Sequence, residues 1–177
     1  MPAKNRNLVY KTKQEDGDTI GPFDSNTDVS VDIVVLHPNG KVGLTGDGGL
    51  CVKLTNATNL TSVKGWVVQA STSSNNAFQI GINAYDAIGC CYESGIPSGQ
   101  QAWVVVSGIA SVLLHNTSSR GGWIQPSTTQ AGRGLEMTPP SGLGSLTQDM
   151  HFKEIGHCLE QFASGSDYLA KAIIHFN

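Results

Sequence analysis

Turn-forming residues interrupt this sequence about every ten positions. Gly occupies 21 of the 177 positions and Pro occupies 7, and the segments between them are short runs in which apolar and polar residues alternate. Alternation with a period of two is typical of a β-strand with one buried face. Since frequent Gly and Pro interrupt helices more than they interrupt short strands, the pattern predicts an all-β chain folded as a compact antiparallel β-barrel or sandwich.

A β-hairpin is predicted where the alternating pattern begins. Residues 29–35 alternate between apolar and polar side chains, which predicts a strand. Asn39-Gly40 supplies the two positive φ angles of a type I′ turn, so residues 42–44 are expected to return antiparallel to the first strand. We assign residues 28–60 to a hairpin extension.

Most of the remaining sequence repeats this rhythm, and we assign residues 61–177 to one β-domain. Gly108 is expected to turn one strand into the next. Residues 127–149 lack periodicity and are predicted to form a long loop. The sequence is compatible with either a helix or a strand over residues 154–162, because Gly156 interrupts an otherwise helical spacing of apolar residues. The predicted strands cover residues 51–54, 65–69, 78–82, 87–92, 101–107, 109–114, 123–126 and 170–176. In the last of them, one apolar face is expected in the core: Ala170, Ala172, Ile174 and Phe176.

Residues 1–27 are polar, with cationic side chains preceding acidic ones, and are predicted to form an extended N-terminal arm. Few apolar residues anchor this segment, so a frayed terminus is the favoured interpretation. The alternative is a segment that becomes ordered against a neighbouring subunit. The first residues contain no apolar stretch of the length found in secretion signals, which predicts assembly in a cytoplasm.

The composition argues against two classes of partner. The net charge is -3 at pH 7, so no overall positive field is present to hold phosphate backbones, and no nucleic-acid partner is expected. Hydrophobic residues make up 39% of the chain and the mean hydropathy is -0.12, values too low for a membrane protein. Because only 14% of the residues are charged, the surface is expected to carry mostly uncharged polar side chains.

No catalytic motif is present at a spacing that specifies a reaction. The strongest enzyme hypothesis is a cysteine-dependent hydrolase in which Cys90 or Cys91 lies near His115 or His157. The two cysteines are adjacent in an apolar run, however, so they are expected to point to opposite faces of a strand and to serve in packing. We therefore predict no enzyme, no catalytic residue and no cofactor.

Two other groups of residues have a structural interpretation. His151, His157 and Cys158 resemble a fragment of a zinc site, but structural zinc needs four ligands, and no metal site is predicted. The tryptophans are expected in the core rather than on a sugar-binding platform, because each lies in a strand-like run: Trp66, Trp103 and Trp123. The sequons are interpreted as turn residues, since no export signal precedes them: Asn56, Asn59 and Asn116.

The C-terminal two thirds of the chain contain a sequence order that resembles a known family. The segments that carry it are 64–68 (KGWVV), 88–89 (IG), 99–112 (GQQAWVVVSGIASV), 121–123 (GGW), 154–160 (EIGHCLE), Gly165 and the apolar run 169–176. This order is similar to that of the small capsid decoration (cement) proteins of tailed bacteriophages. The resemblance implies a compact β-barrel or β-tulip domain without catalytic residues.

The resemblance also implies a function. Decoration proteins are structural virion proteins that bind the outside of a phage capsid and stabilise it by bridging neighbouring capsomers. The implied partners are the major capsid protein of the same phage and further copies of this chain, with a trimer favoured. We expect the capsid or intersubunit contacts in the arm and the long loop, at Lys4, Arg6, Lys11, Lys13, Pro139 and Pro140. The alternatives are a tail or head-fibre adhesin that binds a host surface and a carbohydrate-binding module.

Overall fold

The chain is all-β, as its sequence predicts. The computed structural model describes residues 34–36, 40–82, 86–137, 152–163 and 165–175. The strands in these ranges are β1 (Val34–Leu36), β2 (Val42–Thr45), β3 (Gly49–Asn56), β4 (Val67–Ala70), β5 (Ala77–Gln79), β6 (Ala87–Cys91), β7 (Gln101–Leu114), β8 (Trp123–Pro126), β9 (Gly134–Met137), β10 (Gly156–Cys158) and β11 (Tyr168–Ile174). Within them, no helix is long and apolar enough to cross a lipid bilayer.

Five strands close into a β-barrel in the order β3-β5-β4-β6-β7, with β7 pairing back to β3. The β3–β5 pairing is parallel, and the other four are antiparallel. Each strand sends apolar side chains to one interior cluster, which contains Val52, Leu54, Val68, Phe78, Cys91, Ala102 and Val104. The barrel is therefore filled by the alternating face of each strand, the pattern that its sequence predicts.

A second ring of pairings shares β7 with the barrel. It runs β7-β11-β10-β8-β9 and closes where Leu114 pairs with Gly134 of β9. Its buried side chains include Val112, Leu114, Ile124, Ala172 and Ile174. The same cluster contains Cys51, Val67, Cys90 and Val105, which alternate with the side chains that fill the barrel. The two cores therefore meet along the shared strand.

The shared strand β7 corrects the expected turn at Gly108. The chain continues through this residue as one strand of 14 residues. Ser107 pairs with Leu50 and Val105 with Cys51, which leaves Val106 as a bulge, and Gly108 adopts a φ of +85°. An extra residue in one strand changes which side chains face each side of the sheet. Ala102 and Val104 therefore pack in the barrel cluster before the bulge, whereas Ala110 and Val112, at the same alternation, pack in the second cluster after it.

The other elements confirm the predicted hairpin, decide one open question and differ from two expectations. β1 and β2 form the predicted antiparallel hairpin, and Gly40 has the positive φ that its turn requires. β3, which was assigned to the hairpin extension, is a strand of the barrel. Residues 156–158 form a strand, which decides the open question over residues 154–162. The expected loop over residues 127–149 contains β9, because Gly134 and Met137 are buried beside β8.

Candidate functional site: an exposed apolar face

The outer side of β11 exposes large apolar side chains to solvent. Ala170, Ala172 and Ile174 fill the core, so the residues between them point outward. Leu169 is 46% exposed and Ile173 is 45% exposed. β11 lies between β7 and β10 in the sheet, so these two side chains lie on a rigid surface rather than on a loop.

The residues that join β10 to β11 extend this surface into a groove. Leu159 and Phe162 are 44% and 43% exposed, and both line a groove of about 260 Å³ together with Leu169. The ring of Phe162 stacks on the ring of Tyr168 with their centroids 4.0 Å apart. Two backbone hydrogen bonds of 2.9 Å join Ser118 to Phe162 and hold the connection in place. We call Leu159, Phe162, Leu169 and Ile173 the apolar face.

The charged side chains beside the apolar face are paired. Lys171 lies between Leu169 and Ile173, and its Nζ donates a 2.8 Å hydrogen bond to Oδ1 of Asp47. This hydrogen bond raises the pKa of Lys171 above its usual value. Oε2 of Glu160 accepts a hydrogen bond from the backbone N–H of Lys171. Arg120, which lines the groove, donates a hydrogen bond to Oε1 of Gln161. The arrangement suits contact with an apolar surface better than it suits proton transfer, since each of these charged groups already has a hydrogen-bond partner.

Comparisons with known proteins leave the family open. No family model matches the sequence, and no curated protein matches it significantly. Among solved structures, the chain is similar to the N base of head fibre gp8.5 in bacteriophage phi29, with 12% sequence identity and a TM-score of 0.43. The similarity covers 70% of this chain and 92% of that one. None of these comparisons assigns the chain to a family.

The predicted contact residues lie outside the part of the chain that the structure describes, and their role stays a prediction: Lys4, Arg6, Lys11, Lys13, Pro139 and Pro140. Two of the tryptophans are in the core as predicted, because Trp66 is 5% and Trp103 is 6% exposed. Trp123 is partly buried, and its ring meets the ring of His157 edge-on.

The four cysteines are buried packing groups. Cys90 and Cys91 contribute to different core clusters, as expected for adjacent residues of a strand. Burial raises the pKa of Cys91 to about 11 and that of Cys51 to about 12, and it raises the pKa of Cys90 as well. Burial also raises the pKa of Cys158 to about 11. A nucleophilic cysteine needs its thiol ionised near neutral pH, so this geometry gives no support to the hydrolase hypothesis.

The histidines considered as partners of these thiols contact carboxylates instead. Nδ1 of His115 lies 3.0 Å from Oδ1 of Asp167, and Nε of Arg133 donates a 2.9 Å hydrogen bond to Oδ2 of the same residue. The hydrogen bond from His115, followed by that from Arg133, lowers the pKa of Asp167. His157 contacts Glu154.

The thiols are expected to be inert in the folded protein. A brief iodoacetamide pulse followed by mass spectrometry should label none of the four cysteines, whereas the same pulse in denaturant should label all four, because burial keeps them protonated and out of reach. Rapid labelling of Cys90 or Cys91 in the native protein would contradict this packing.

Sequence reasoning missed the apolar face, although a signal for it was present. In the last strand, Leu169 and Ile173 are apolar at positions that alternate with the predicted core residues. A strand with one solvated face usually carries polar residues there, so large apolar residues on both faces indicate either a covered sheet or a binding surface.

Proposed function

We propose that this chain is a structural protein of a phage virion that binds the outside of the capsid through its apolar face. The face carries the proposal, because large apolar groups held on a rigid sheet lose contact with water when a partner covers them. The resemblance of residues 60–177 to capsid decoration proteins supports the major capsid protein as the proposed partner.

Such a protein would act by adding interface to an existing shell. Each Å² of apolar surface removed from water contributes roughly 25 cal/mol before the cost of ordering is subtracted. Many symmetric copies on one shell, associating as a trimer in this proposal, would turn modest contacts into strong overall binding. The chain would be assembled in the host cytoplasm and would bridge neighbouring capsomers on the capsid surface.

The test measures occupancy of purified capsids by the chain, using sedimentation and electron microscopy. We expect Leu169→Lys to reduce binding at least about tenfold, because a buried unpaired ammonium opposes association. The matched control is Leu60→Lys, since Leu60 is 54% exposed and does not line the groove. A chain that lacks residues 1–27, measured in the same assay, tests the contribution of the arm.

The outcomes separate the possible functions. Equal loss of occupancy in both leucine variants, or unchanged occupancy in Leu169→Lys, would remove the apolar face from the proposal. Binding of the wild-type chain to host cells and not to capsids would favour the adhesin. Wild-type protein that binds neither capsids nor cells would overturn the virion function.

A further inference from the structure

Three side chains with metal-binding atoms converge at one end of β10 and β11. Oε1 of Glu154 lies 3.0 Å from Nε2 of His157 and 3.5 Å from Nε2 of His175. The two imidazole rings have their centroids 5.4 Å apart, and the three candidate ligand atoms all lie within 4.8 Å of one another. This cluster is separate from the groove in the apolar face.

The strand pairing produces this convergence. His157 pairs with Ile173 across the antiparallel β10–β11 ladder. The backbone N–H of His175 donates a 3.0 Å hydrogen bond to the carbonyl oxygen of Ile155. His175 is two residues beyond Ile173, so the two imidazoles are diagonal neighbours on one face of the sheet.

Gly156 brings the carboxylate to the same place. In a regular strand, Glu154 and His157 would project to opposite faces, because they are three residues apart. Gly156 between them adopts a φ of +148°, and a Cβ at this position would overlap the carbonyl oxygen of Ile173. The backbone conformation at Gly156, which glycine adopts more readily than other residues, therefore lets the side chains of Glu154 and His157 meet.

The donor set and the two distances from Glu154 match the needs of a transition-metal dication. Zinc bonds of 2.0–2.1 Å to nitrogen and oxygen in a tetrahedral site place the ligand atoms roughly 3.3 Å apart. The two distances from Glu154, 3.0 and 3.5 Å, lie on either side of that value. Two imidazoles and one carboxylate are ligands that zinc and neighbouring metals accept, whereas Mg²⁺ and Ca²⁺ favour oxygen ligands throughout.

One of the three side chains is buried and the other two are partly exposed, which gives a cation access to the site. The side chain of Glu154 is 7% exposed, while those of His157 and His175 are 35% and 44% exposed. A cation could therefore enter from solvent, bind a buried carboxylate and retain an open position for water. The ring of Trp123 packs edge-on against the ring of His157, with an interplanar angle of 84° and the centroids 5.9 Å apart.

We propose that Glu154, His157 and His175 form a binding site for a first-row transition-metal dication such as Zn²⁺. The cation would join Glu154, which precedes β10, and His157 in β10 to His175, which follows β11, and so fasten the end of β11 to β10 within the second ring. The site is independent of the proposed capsid function.

The test titrates Zn²⁺ into the full chain after treatment with EDTA, using calorimetry, with Mg²⁺ as the specificity control. We expect Zn²⁺ to bind with one-to-one stoichiometry and to raise the midpoint of thermal unfolding, because a ligand of the folded state stabilises it. His157→Gln and His175→Gln should each weaken binding at least about tenfold. His115→Gln is the matched control and should bind Zn²⁺ as the wild-type chain does.

Co²⁺ provides a second readout, because its visible spectrum reports the ligands directly. Nitrogen and oxygen ligands should produce d–d bands without sulfur-to-metal charge transfer, and these bands should be lost in His175→Gln. The unfolding midpoints of all variants in EDTA establish that they fold, and His175→Gln alone decides the question if His157→Gln is unstable. Absence of Zn²⁺ binding, equal binding by wild type and His175→Gln, or a thiolate band would overturn the proposal.

Discussion

Gly108→Ala should lower the free energy of unfolding by about 3 kcal/mol or more, which combines backbone strain with overpacking. Gly108 has a φ of +85° and lies two residues beyond the bulged Val106 of β7. A Cβ at this position would lie 2.6 Å from the carbonyl oxygen of Gly48 and 3.3 Å from the Cα of Gly49. Because both of these atoms belong to the backbone where β3 begins, relief of the contact would require one of the two paired segments to move.

Alanine variants of two other glycines distinguish the contribution of backbone strain from that of overpacking. Gly121 has a φ of +76° and open space where a Cβ would lie, so Gly121→Ala should cost only about 1 kcal/mol from strain. Gly165 has open space and no positive φ, so Gly165→Ala should change stability by no more than about 0.5 kcal/mol in either direction. Urea unfolding curves measure all three. A Gly108→Ala loss no larger than that of Gly121→Ala would contradict the close packing of Gly108 against the start of β3.

Asn56→Ala should cost about 3 kcal/mol, because several polar groups lose their partner at once. Asn56 is fully buried at the end of β3. Its Nδ2 donates hydrogen bonds of 2.8 and 2.9 Å to the carbonyl oxygens of Leu60 and Ile96. Its Oδ1 accepts hydrogen bonds from the backbone N–H and the hydroxyl of Thr58. One amide therefore orders two loops at one end of the barrel.

The control for this prediction is Asn76→Gly. Asn76 is exposed and has a φ of +52°, which glycine adopts without strain, so this change should alter stability by less than about 0.5 kcal/mol. The two variants are compared by denaturant unfolding. If the slope of the unfolding free energy against denaturant concentration is the same as in the wild-type chain, the variants differ in stability and not in the compactness of the folded or unfolded state. A cost below about 1 kcal/mol for Asn56→Ala would mean that water replaces the lost hydrogen bonds.

The sequon residues show how local chemistry can be interpreted without tertiary information. They were assigned to turns, and Asn59 and Asn116 indeed have positive φ values of 61° and 78°, a conformation that asparagine tolerates. The third, Asn56, has a role that its neighbours in sequence do not reveal. One of its hydrogen-bond acceptors, Ile96, is 40 residues away, so only the folded chain could identify it.

Most strands can also be predicted from local sequence, because the alternation of apolar and polar residues involves only near neighbours. Alternation in β11 identified Ala170, Ala172 and Ile174 as core residues, and all three are buried. The turn at Gly40 was equally local. The turn that the sequence predicts at Gly108 is wrong, because a glycine is compatible with a reversal or with a continuous strand, and the pairing of β3 along β7 selects the continuous strand.

The amino-acid sequence by itself determined the all-β class, the position of most strands and the core-facing side of β11, because these depend on neighbours a few residues apart. Only the tertiary structure decided the closure of the two rings, the apolar face and the meeting of Glu154 with His175. These features depend on the register between distant segments and on which face of a sheet another part of the chain covers. A local sequence pattern specifies neither of them.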